Sequence, residues 1–121
     1  MPRTALIVDD STSMRQMIAH TLTTAGYTVT QAANGQDALA SLSKSRPDVI
    51  ITDLNMPVMD GLTFIKNARK LPAAKFTPIL MLTTEAGADR KAEGRAAGAT
   101  GWIVKPFHPD QLLQVVAKVV P

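Results

Sequence analysis

No cysteine occurs in the sequence, which excludes disulfide staples, thiolate zinc sites and cysteine nucleophiles. Histidine is nearly as scarce, since His20 and His108 are too few for a histidine-rich metal cluster. Aromatic residues make up only 4% of the chain and do not interleave with the basic ones, so nucleic-acid binding is not expected. Long apolar runs are missing as well. The longest near the N-terminus, Ala5 to Val8, stops at Asp9, far short of a signal-peptide core or a spanning helix. No membrane insertion is expected, and the chain is read as cytoplasmic.

What is present fits one soluble domain. A chain of 121 residues, 45% hydrophobic and 19% charged, has the composition of a globular protein. At this length roughly two thirds of the unfolded surface is buried on folding, so no covalent staple is needed. Residues 1–121 are therefore read as a single domain. The net charge of +3 allows weak attraction to anions. Only Lys66, Arg69, Lys70 and Lys75 crowd together, and a solvated helix face accounts for them.

Short β-branched runs alternate with segments of helical period. The runs are ALIV (5–8), TVTQA (28–32), DVIIT (48–52), PILML (78–82) and GWIV (101–104). Between them Met14, Met17, Ile18, Thr21 and Leu22 share one helical face, as do Ala38, Leu39 and Leu42. Leu62, Ile65 and Ala68/Arg69 mark a third helix entered through Asp60-Gly61. Leu112, Leu113, Val116 and Val120 mark the last, and Gly26 and Gly98 stand where helices should end. Five strand–helix units imply an α/β fold, a (βα)5 doubly wound open parallel sheet covered on both faces. VIIT and ILML lack polar alternation, as central strands buried on both sides do. The weakest helix should be GADRKAEGRAAG (87–98), which has no large apolar residue and carries Gly94 inside it.

In such a sheet, ligands bind beyond the carboxyl ends of the strands. Here Asp9 and Asp10 follow the first run, Asp53 the third, Thr83 the fourth and Lys105 the fifth. Three carboxylates gathered there need a counter-charge. Lys105 supplies one, and a divalent ion bound by oxygen ligands, with magnesium favoured over calcium, would supply the rest. An aspartate in that setting can attack a phosphoryl group as a carboxylate nucleophile, with Lys105 and Thr83 facing the transferring oxygens. Each residue also has a plainer reading. Asp10, Ser11 or Thr12 could cap the first helix, Asp53 could form a turn with Asn55 and Pro57, and Lys105 could be a surface lysine. His20 reads as solvated, and His108 as the start of the last helix. Taken singly the plainer readings are better; taken together at the ends of four strands they are not.

The motifs VDDS, ITDLNMPVMDG, MLTTEA and GWIVKPF, in that order, resemble the receiver domain of two-component response regulators, in its CheY-like, single-domain chemotaxis branch. The resemblance runs from Thr4 to the last helix. It implies a flavodoxin-like/CheY-like sheet of strand order 2-1-3-4-5, an order already known for such proteins and not read here from periodicity. It implies Asp53 as phosphoacceptor, with Asp9, Asp10, Asp53 and the Asn55 backbone carbonyl holding Mg2+, for which Mn2+ could substitute. Thr83 and Lys105 would meet the phosphoryl group, the Lys105–Pro106 bond would be cis, and Asn55 and Glu85 would tune dephosphorylation. Trp102 stands where the family usually has a smaller aromatic switch residue, and it is expected to serve as a bulkier version.

The function implied is a phosphorylation-activated signalling switch, in which a histidine kinase donates to Asp53 and the chain catalyses only its own phosphorylation and slow autodephosphorylation. With no effector domain expected, output would be docking through the face formed by the fourth helix, fifth strand and fifth helix, as a monomer, with the flagellar motor switch as candidate target. A phosphate sink or phosphorelay intermediate is the alternative within the family. A haloacid-dehalogenase-type phosphatase is the alternative outside it, although Asp53 is followed two positions later by Asn55 where those enzymes carry an acid. A non-phosphorylated interaction domain is the plainest reading, and the complete acidic set argues against it.

Overall fold

Each apolar run forms a strand, and each segment of helical period forms a helix. The computed structural model describes residues 3–54, 56–84 and 88–120, with 88–90 as backbone only. In chain order the elements are β1 (Arg3–Val8), α1 (Thr12–Thr24), β2 (Tyr27–Ala32), α2 (Gly35–Leu42), β3 (Val49–Asp53), α3 (Gly61–Ala68), β4 (Ile79–Thr83), α4 (Ala88–Ala97), β5 (Gly101–Val104) and α5 (Pro109–Val119). All strand pairs are parallel, and the sheet order is β2-β1-β3-β4-β5. No described helix is long and apolar enough to cross a membrane.

Side chains alternate across a strand, so one sheet feeds two cores. Leu6, Val8, Ile50, Ile79 and Met81 face α2, α3 and α4 through Ala38, Leu42, Phe64, Ile65 and Ala97. Ala5, Ile7, Ile51, Leu80 and Leu82 face α1 and α5 through Ile18, Leu22, Leu112 and Val116. Every residue of β3 and β4 is buried, which is why these runs show no polar alternation. Edge strand β2 shows the opposite pattern, with exposed residues at Thr28, Thr30 and Gln31.

Helix ends follow local chemistry. Ser11, rather than Asp10 or Thr12, caps α1 by accepting the Met14 N–H at 3.3 Å. Asn34 and Asp60 cap α2 and α3 by accepting from the Asp37 and Thr63 N–H groups, each at 2.8 Å. Gly26 and Gly98 take φ of +100° and +116° just past α1 and α4, a conformation that favours glycine. His108 sits at the α5 N-cap position and makes no side-chain capping bond. Gly94 gives up helix propensity but lies buried against Met81, where an added Cβ would come within 2.6 Å of the Met81 Cε.

Two expectations need correction. Asp53 and Thr83 do not follow their strands but end them, because pairing continues through Asp53↔Leu82 and Thr83↔Val104. Arg69, assigned to a solvated basic face, is half-buried, while Lys66, Lys70 and Lys75 are exposed. Its guanidinium donates to the Gly98 carbonyl at 2.8 Å, Ala74 at 2.8 Å and Thr77 at 2.6 Å. It thereby ties the end of α3 to the approach to β4 and to the turn after α4. Removing it leaves several carbonyls without donors, so Arg69→Ala should cost about 2–4 kcal/mol in urea unfolding. Arg69→Lys should recover less than half, since one ammonium cannot fork across the three carbonyls. A cost below about 0.5 kcal/mol would show that the clamp contributes nothing.

Candidate functional site

The parallel sheet places the carboxyl ends of β1, β3, β4 and β5 at one edge, and the reactive side chains gather there. Asp9, the first residue beyond β1, is fully buried; its Oδ1 accepts the Ser11 N–H at 2.9 Å. Asp53, the last residue of β3, is 8% exposed, and its Oδ1 accepts the Leu54 N–H at 2.8 Å. Asp10 lies at the surface, yet one carboxylate oxygen from each of Asp9, Asp10 and Asp53 falls within 4.8 Å of the others.

Lys105 leaves the end of β5 and reaches past β4 to both buried acids. Its Nζ lies 3.3 Å from Asp9 Oδ2 and 3.2 Å from Asp53 Oδ1. The Lys105–Pro106 bond is cis. The Lys105 N–H donates to the Thr83 carbonyl at 2.8 Å, which fixes the β4 and β5 ends together. Thr83 is buried, one position beyond the residue paired with Asp53. Asn55 and Glu85 lie outside the described residues.

One ammonium does not neutralise three carboxylates. Burial, and then the neighbouring Asp9 charge, push the Asp53 carboxyl above its ordinary range, while Lys105 and the Leu54 N–H pull the other way. An acidic group with excess negative charge and only oxygen donors fits a hard divalent cation. Receiver domains bind Mg2+ at such an acidic pocket.

A family model for the response regulator receiver domain matches residues 5–117. The chain belongs to the response regulator receiver family. Among similar receivers, the chemotaxis protein CheY1 of Helicobacter pylori is 42% identical over 117 residues, covering 95% of this chain and 94% of its own. A solved structure of the chemotaxis response regulator CheY4 of Vibrio cholerae is 55% identical, with a TM-score of 0.94 over 98% of this chain and 99% of that one. The receiver domain of a Pseudomonas aeruginosa sensor histidine kinase, solved with a magnesium ion coordinated in its active-site cleft, is 28% identical with a TM-score of 0.91, covering 99% and 98%. CheY-like receivers are signalling regulators of two-component chemotaxis pathways and not enzymes in the ordinary sense. The family match displaces the haloacid-dehalogenase-type reading.

Trp102 enters from β5 on the α4 side and packs partly buried against that core. Two α4 cations cover its indole: Lys91 Nζ lies 4.9 Å and Arg95 Cζ 5.6 Å from the ring centroid. This arrangement couples the ring to α4 by cation–π attraction. Binding at the acidic edge that shifts β5 or α4 should therefore change the emission of this sole tryptophan. Lys91→Ala combined with Arg95→Ala should raise its quenching by iodide; unchanged quenching would mean the cations do not cover the ring.

Sequence reasoning missed Arg15, whose guanidinium donates to the Asp9 carbonyl at 2.6 Å and holds the start of α1 against the site. Its spacing of one helical turn from Thr12 gave a weak signal, but only the fold brings it back to Asp9.

Proposed function

We propose that residues 1–121 form one receiver domain that works as a phosphorylation-controlled switch in chemotaxis signalling, with Asp53 as the phosphoacceptor. The observation that carries this reading is the bridging of Asp9 and Asp53 by Lys105 at 3.3 and 3.2 Å, at the edge of a receiver fold. Asp53 presents a carboxylate to the incoming phosphorus from the floor of the pocket. Asp9, Asp10, Asp53 and the Asn55 backbone carbonyl would hold Mg2+, or Mn2+ in its place, which when bound supplies positive charge that offsets phosphoryl oxygens. Lys105 holds Asp53 in place and is near enough to pair with a phosphoryl oxygen once the acid is esterified. Thr83 supplies a hydroxyl from the adjacent strand end, and Asn55 and Glu85 set how fast water restores the carboxylate.

The phosphodonor is a histidine kinase. The product, an acyl phosphate on Asp53, biases two states of the domain, and Trp102 reports the difference at the surface of α4, β5 and α5. A partner docks on that surface, the flagellar motor switch being the candidate suggested by chemotaxis relatives. A phosphate-sink or relay role would use the same pocket without that docking. The reading is tested by incubation with acetyl phosphate, with and without magnesium, followed by intact-mass analysis. One added phosphoryl group that requires the metal is expected; labelling that ignores the metal would overturn the assignment of the acidic group.

A further inference from the structure

The loop between β3 and α3 carries the one non-glycine residue with positive φ among the described residues. Val58 has φ of 71°, a region that β-branched residues tolerate least. The Met59 N–H donates to the Pro57 carbonyl across it at 2.7 Å, closing a three-residue γ-turn centred on Val58. Such a turn is strained when its central φ is positive.

The strain does not relax because the base of the loop is pinned. The Leu54 N–H donates to the Leu82 carbonyl at 3.0 Å, and the Gly61 N–H donates to the Leu54 carbonyl at 2.8 Å. Met56 and Met59, on either side of the tip, pack against the core. Val58 itself gains nothing from this, with 74% of its surface in water. Asparagine or glycine would occupy the same backbone at lower cost. A side chain that is strained and packs on nothing in its own chain points to a contact made outside it.

The position suggests which contact. The loop starts at the residue after Asp53, so its tip belongs to the rim of the pocket whose floor is that buried carboxylate. A small phosphodonor reaches Asp53 by diffusion. A protein donor must lay the surface around its phosphohistidine on the rim before the phosphorus comes within reach. We infer that Val58 is an apolar anchor for the phosphohistidine-bearing donor protein, held ready by the strained turn; this rests on the phosphoacceptor reading of Asp53. A preset apolar contact at the rim of an otherwise acidic pocket strengthens docking without adding charge.

The test compares the full chain with Val58→Asn, Val58→Gly and Val58→Ile. The protein donor is the phosphorylated phosphotransfer domain that labels the parent fastest among the histidine kinases of the same organism; the small donor is acetyl phosphate with magnesium. Val58→Asn and Val58→Gly should raise the thermal midpoint by about 4 °C through relief of strain. Transfer from the protein donor should slow about tenfold, while labelling by acetyl phosphate stays within about twofold. Val58→Ile keeps the apolar tip and should retain protein-donor transfer within about twofold. Equal slowing with both donors would place the effect inside the pocket and overturn the inference. Unchanged protein-donor rates, or a midpoint that does not rise, would overturn it too. A parent chain that accepts nothing from acetyl phosphate would instead defeat the phosphoacceptor reading, and the inference with it.

Discussion

Asp53→Asn should abolish labelling by acetyl phosphate, a loss of at least about 100-fold, and at the same time make the metal-free protein more stable at neutral pH. The first effect follows because an amide offers no carboxylate to form the acyl phosphate. The second follows from the electrostatics of the pocket. Burial and Asp9 raise the Asp53 carboxyl above its model value of 3.8, so the folded state binds that proton more tightly than the unfolded chain does. Stability contributed by this group is therefore present at pH below 3.8 and is lost as pH rises through the raised folded value. At neutral pH the full penalty of holding a buried negative charge beside Asp9 remains, and asparagine removes it. Lys105 keeps its contact with Asp9 in the variant, so its ammonium is not left without an acid. Thermal unfolding of both proteins without metal, at pH 7 and near pH 3, should show the variant ahead at the higher pH and the gap closing at the lower. A variant that is less stable at pH 7, or that still takes up one metal-dependent phosphoryl group, would refute the role given to Asp53.

Gly61→Ala should be the most damaging single methyl addition in the chain, costing about 3 kcal/mol or more of stability. Gly61 opens α3 directly beside the end of β3. A Cβ there would overlap the Asp53 carbonyl oxygen and come within 2.8 Å of the Leu54 Cα. These are backbone atoms of a fully buried strand and cannot swing aside as a side chain would. Relief requires moving either α3 or the Asp53–Leu54 peptide. The second movement would pull on the Leu54 N–H that holds Asp53 Oδ1 and would shift the carboxylate against Lys105. Urea unfolding should therefore show the loss of stability, and acetyl phosphate labelling of the fraction still folded should slow as well. Gly35→Ala is the comparison, since its nearest atom is the thioether sulfur of Met59 at 3.0 Å and a flexible side chain can give way. Equal costs at the two glycines would show that the approach to β3 is looser than the geometry indicates.

The elements were legible in the sequence because they are written at short range. Period-two and helical patterns placed the strands and helical faces, and Gly26, Gly98, Asp60 and the choice among Asp10, Ser11 and Thr12 marked the helix ends. The location of the acids at strand ends was legible as well, since a parallel sheet presents all its carboxyl ends at one edge. The strand order was available only through the family resemblance.

Other features were not written locally. Lys105 meets Asp9 across 96 positions and Asp53 across 52, and no window of sequence contains both partners. Arg69 looked like one more basic residue because the Gly98, Ala74 and Thr77 carbonyls that bind it come together only after β4 and β5 are seated. Val58 looked like an ordinary loop residue because its left-handed backbone is imposed by a loop pinned at both ends. The sequence by itself determined the alternation of elements, their caps and the chemistry available at the strand ends, since these depend on neighbours one turn or one pleat away. Tertiary structure alone decided which charges bridge, which arginine is a clamp and which valine is strained, since those depend on distances that exist only once the chain has closed on itself.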